Sequence, residues 1–220
     1  MFCLEDDGGL YMGQGSYVLC EWDSVAEQYP NFQQAFASLE QQMIQKCGAE
    51  WAPKQFGKLT PNSGQFGRTT ILPALFFDNT GTRFTGSWRQ NFASRGHQLI
   101  ITGNPAAGYV IPEDFKVAWL GLAFPNKQQH ITEIKFQIGD RKYGRIDIEE
   151  IKAYNKPALI FEEGFIIDEE QAFELWGYVE GPIPNEAPFI VGLYQNIVMI
   201  GAAYYKLIDK VLGNCGAAIT

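Results

Sequence analysis

Along residues 131–148 the chain alternates: Ile134, Phe136 and Ile138 share one side of an extended backbone, and Glu133, Lys135 and Gln137 share the other. Gly139-Asp140 then supplies the positive φ that a tight two-residue turn demands before a second alternating run. The pattern predicts an antiparallel hairpin with one buried and one wet face, which suits antiparallel sheets better than parallel βαβ units. Short apolar, β-branched runs recur at 69–77, 83–88, 98–102, 115–124, 158–161, 164–167, 171–179 and 189–194, each bounded by turn residues. The expected fold is mainly β, an antiparallel β-sandwich.

Two stretches change period. Phe32, Phe36, Leu39, Met43 and Cys47 fall at helical spacing, with Asn31 placed as N-cap and Gly48 just past the end. Near the end of the chain Ile197, Ile200, Tyr204, Leu207 or Ile208 and Val211 repeat the spacing before Gly213, which predicts a C-terminal helix, although "IVMIG" also reads as a buried strand. Residues 51–70 are rich in Gly, Pro and polar side chains and read as an extended arm. This organises the chain as a helical segment and arm over 1–68 and a sandwich over 69–220, together one structural unit.

The stretch "FEEGFIIDEEQAFELWGYVEG" concentrates the acidic residues Glu162, Glu163, Asp168, Glu169, Glu170, Glu174 and Glu180. Within it Phe173, Leu175, Gly177 and Val179 alternate with Glu174, Trp176, Tyr178 and Glu180, as in a half-buried strand. The carboxylates are then the solvated face and its turns, with Gly164 at a turn or bulge, and no catalytic residue is assigned. Residues 168–170 lack the alternating oxygen ligands of a compact calcium loop. Trp176 and Tyr178, two large aromatics on an otherwise polar face, are candidates for an interface; with a pair of the neighbouring acids they also fit a carbohydrate-binding or carbohydrate-hydrolysing sandwich.

The formal net charge of −8 is unevenly spread: residues 1–50 carry −7 and residues 51–100 carry +5. Lys54, Lys58, Arg68, Arg83, Arg89 and Arg95 make the basic segment. Arg83, Arg89 and Arg95 are assigned to an interface, against acidic surface of another copy or, through the interleaved Phe84, Trp88 and Phe92, against nucleic acid. The overall acidity opposes nucleic acid as the main partner. Cys3, Cys20, Cys47 and Cys215 form no Cys-x-x-Cys pair, so buried free thiols are expected and no metal or other cofactor is. The uncharged window 187–205 is broken by Pro188, Gly192, Gln195, Asn196 and Gly201, which disfavours a membrane span. The first residues, Met1 to Asp7, lack the basic start and apolar run of a secretory signal, so synthesis in a cytoplasm is expected.

The strand count and hairpin spacing over residues 69–200, preceded by a helix and an extended arm, resemble the single jelly-roll coat proteins of viruses. The resemblance implies a non-catalytic, self-assembling virion subunit, made in the host cytoplasm, whose partners are copies of itself and other coat proteins.

Overall fold

The computed structural model describes residues 11–12, 17–20, 30–51, 66–92, 94–126, 130–154, 158–180 and 194–206. Its strands are β1 (Tyr11–Met12), β2 (Tyr17–Cys20), β3 (Phe66–Thr70), β4 (Arg89–Asn91), β5 (Gly96–Thr102), β6 (Phe115–Ala123), β7 (Ile131–Ile138), β8 (Arg141–Asp147), β9 (Ala158–Ile167), β10 (Phe173–Val179), β11 (Tyr194–Asn196) and β12 (Val198–Lys206). Helix α1 spans Pro30–Glu50 and the short α2 spans Glu149–Ala153.

The β7–β8 hairpin forms as its alternation predicts, with Gly139 at φ 57 in the turn. Around it the strands pair in nested order: β7 with β8, β6 with β9, β5 with β10 and β3 with β12. Successive nested pairs fall in alternate sheets, giving one sheet ordered β1-β8-β7-β10-β5 and another ordered β2-β9-β6-β12-β3. A long antiparallel ribbon rolled into two facing sheets is a jelly roll. β1 adds in parallel to β8 and β2 antiparallel to β9, so each sheet gains an extra strand on one flank. A small ribbon, β4 with β11, stands apart from the two sheets.

Between the sheets lies an aromatic core centred on Trp119, which meets Phe136, Phe161 and Phe173 edge-on at ring-centroid distances of 4.8, 4.9 and 5.3 Å. A second apolar layer lies outside the β6-β9-β12 sheet, where Leu39, Met43, Cys47 and Trp51 of α1 and the residue after it pack on Ala118, Leu120, Ile160 and Tyr204. Burial pushes the Cys47 thiol up to about 11, so it stays protonated and inert at neutral pH, the buried free thiol expected.

Five sequence expectations are corrected. α1 begins at Pro30, so Asn31 lies inside its first turn rather than capping it; proline suits that first position because its missing N–H has no helical partner there. α1 also runs through Gly48, since Cys47 and Trp51 both dock and the Trp51 amide still donates to the Cys47 carbonyl at 2.9 Å. The strand expected over 69–77 stops at Thr70, because Pro73 starts a short 3-10 turn, and the strand expected over 83–88 does not form: only Arg83 makes an isolated bridge there, and β4 begins after it at Arg89. The C-terminal helix is a strand over Val198–Lys206: Met199 and Ala203 enter the inter-sheet core while Ala202 and Tyr204 lie under α1. Burial on both faces makes such a strand a continuous apolar run with no period of two. Of the expected strand 189–194 only Tyr194 is described, as the first residue of β11; residues 189–193 and the helix continuation beyond 206 lie outside the described residues. Among the described residues no helix is long and apolar enough to cross a membrane.

Candidate functional site

The acidic stretch divides among three surfaces. Asp168 and Glu169 stand in the turn between β9 and β10, under the C-terminal end of α1. There they meet Lys116 of β6, whose side chain is only 1% exposed: its Nζ lies 2.7 Å from Glu50 Oε2, 3.0 Å from Asp168 Oδ1 and 3.7 Å from Glu169 Oε1. Lys46 also pairs with Asp168, and the Trp51 indole donates to Glu169 Oε1 at 3.0 Å. Burial favours neutral Lys116, but the bonds to Glu50 and Asp168 outweigh it and raise its pKa above 10.5. For Asp168 burial pushes upward, and hydrogen bonds from Lys46 and Lys116 outweigh it and hold the carboxyl below 3.8. An amide cross-link between such a pair would need a neutral amine and a protonated acid; this environment holds both groups in the opposite state, as an ion-pair clamp between helix and sheet.

Trp176 and Tyr178 sit where their alternation puts them, half-buried on the outer face of the β5-β10-β7-β8 sheet. The Trp176 indole donates to Glu174 Oε2 at 2.9 Å and the Lys135 ammonium lies 5.9 Å from its ring centroid. Tyr178 packs edge-on against His97, its partner across the strand pair, at 4.9 Å. Burial first, and the Lys135 charge next, lower the His97 pKa below 6.5, so this face carries a neutral imidazole at pH 7. Arg95 joins the same face through an ion pair with Glu180. Thus Arg95, Trp176 and Tyr178 come together. Arg83 lies over the Phe77 ring on the β3–β5 connection, and Arg89 is exposed on β4, so the expected basic surface is divided. Arg68 pairs with Glu40 of α1, and with the Arg95–Glu180 pair part of the basic segment is balanced inside the chain. Lys54 and Lys58 lie outside the described residues.

Glu162 and Glu163 occupy the third surface. Gly121 pairs with Ile160 and Trp119 with Phe165, so residues 161–164 bulge out opposite Leu120. Gly164, at φ 67, has Leu39 of α1 only 2.6 Å from where a Cβ would stand; glycine here serves both the backbone conformation and the seating of the helix. The bulge forms one wall of an open cleft of about 900 Å³. Ser38, Gln42 and Lys46 of α1 form another wall, and Asp140 and Arg141 of the β7–β8 turn a third. Glu162 and Glu163 thus line this cleft, while Glu174 and Glu180 share the outer face of the other sheet with Trp176 and Tyr178.

Lys116 and the cleft were not found from sequence. Lys116 is the single charge within the apolar run 115–124, a signal that it is paired, but its partners come from segments far apart in the chain. Among the described residues no three of His, Cys, Asp and Glu are grouped as metal ligands. Comparison with known protein families, curated proteins and solved structures finds no match.

Proposed function

We propose that this chain is a self-assembling structural subunit of a coat or shell, a virion coat made in a host cytoplasm, whose main partner is its own copies. The observation that carries the reading is the inequality of the two outer sheet faces. One is sealed by α1, while the other presents Trp176, Tyr178 and partly exposed Leu99 with no described element over them. Aromatic anchors ringed by charges are what a protein interface uses for affinity and orientation respectively. The jelly roll supplies a rigid block suited to tiling, but by itself fixes no function.

Electron microscopy of the purified chain tests the reading: regular shells, tubes or lattices are expected, and a uniform monomer at the highest soluble concentration would overturn it. The double change Trp176→Ser and Tyr178→Ser is expected to weaken self-association at least tenfold while moving the melting temperature by only a few degrees, because both side chains lie on the outer face. Lost thermal stability with unchanged oligomer size would place the pair in the monomer's core instead.

A further inference from the structure

The connection between β3 and β5 runs back along the open edge of β5, where Phe77 bridges Thr102 on one side and Arg83 on the other. Its tip is a pre-ordered turn. Asp78 Oδ1 accepts from the amides of Thr80 and Thr82, both at 2.9 Å, and from the Thr80 hydroxyl at 2.7 Å. Gly81, at φ 76, completes the reversal, and its amide donates to the Asp78 carbonyl at 3.0 Å. Thr80, Gly81, Thr82 and Arg83 are all exposed, so a stiff projection carries a cation out from this flank.

The cleft under α1 lies on the opposite flank, beside β8 and β9, where the sheet that ends in β5 has its other edge. Both features stand at the same end of the strands: Thr102 pairs with Glu174 on one side of β10, while neighbouring Phe173 pairs with Ile138, which leads into the β7–β8 turn. Among the charges lining the cleft Lys46 is held by Asp168, which leaves Arg141 against Asp140, Glu162 and Glu163. Glu162 and Glu163 are exposed and have no ion-pair or hydrogen-bond partner among the described residues.

We propose that the turn Asp78–Arg83 of one copy seats in this cleft of the next, with Arg83 meeting Glu162 and Glu163. The inference rests on the self-assembly reading and specifies one of its contacts. Because projection and cleft are different patches on opposite flanks, the contact is heterologous: repeated, it propagates into a ring or an open array rather than stopping at a dimer. The turn is already ordered by Asp78, so docking freezes little conformational freedom, and the opposed charges set orientation and encounter rate.

The test uses sedimentation of the full chain at low salt with Arg83→Glu, with the pair Glu162→Arg and Glu163→Arg, and with Ser38→Trp, which fills the cleft mouth without changing charge. Each is expected to weaken association at least tenfold with an unchanged melting temperature. Mixing the Arg83→Glu chain with the Glu162→Arg, Glu163→Arg chain is expected to restore association, since each then offers the other a complementary surface. Wild-type association in all three variants, or no recovery on mixing, overturns this contact while leaving self-assembly standing. A wild-type chain that does not associate at all overturns both.

Discussion

Trp119→Ala is expected to lower the stability of the fold by about 4 kcal/mol, within the range for removing a large aromatic side chain from a packed core. Trp119 is fully buried and is the hub of the inter-sheet aromatic cluster, touching rings on β7, β9 and β10. Its indole also donates to the Gly121 carbonyl at 2.7 Å, across the irregularity where β6 meets the β9 bulge. Truncation therefore opens a cavity walled by stiff rings that close it poorly, and it strands a buried acceptor. Trp119→Phe should cost about half as much, since it keeps most of the volume and loses the donor. Denaturant unfolding of the two variants checks the order. Equal losses would mean that the hydrogen bond, not the packing, dominates.

Lys116→Ala is expected to cost about 2–4 kcal/mol, somewhat less than removing one partner of a fully enclosed pair, because the carboxylates left behind retain partial access to water. Asp168 and Glu169 are 28% and 27% exposed at the side chain and Glu50 is 44% exposed, and Asp168 keeps Lys46. Lys116→Met, which fills the same space without charge, should lose less than the alanine variant. The contribution has a definite pH window. Asp168 has a depressed pKa, so its share is present above its ordinary value of 3.8 and is lost as pH falls through the lower folded value. Lys116 has a raised pKa, so its share is complete below 10.5 and is lost as pH rises through the higher folded value. The wild type should therefore lose its advantage over Lys116→Met at strongly acid and strongly alkaline pH and hold it in between. A difference independent of pH over that whole span would show that Lys116 acts by packing alone.

Elements with one wet face were the legible ones. The β7–β8 hairpin and the outward phase of Trp176 and Tyr178 could be read because solvent imposes a period of two on the residues that meet it. β12 could not: with the core on one face and α1 on the other, nothing along Val198–Lys206 distinguishes its sides, and the helical spacing of Ile197, Ile200 and Tyr204 is coincidence. The Glu162-Glu163-Gly164 bulge was readable from its glycine, but that it fronts a cleft depends on α1 lying alongside. The clamp on Lys116 draws on residues 46, 50, 168 and 169, a proximity created by the nesting of the strands and carried by no local pattern.

That nesting also dictates an order of events at the ribosome. The innermost pair, β7 with β8, is complete within a few residues of chain and is free to close at once, whereas Phe66 must wait for Lys206 to emerge before β3 has its neighbour. β6, the strand carrying both Trp119 and Lys116, lies between β9 and β12 and so stays half-paired until β12 has been made. Folding is thus dominated by sequence-distant contacts and is correspondingly slow, and until β12 emerges the apolar run of β6 is exposed to other nascent chains. Neighbouring chains on one message would meet one another in that state, which makes the interval before β12 is synthesised the period when chaperone binding matters most.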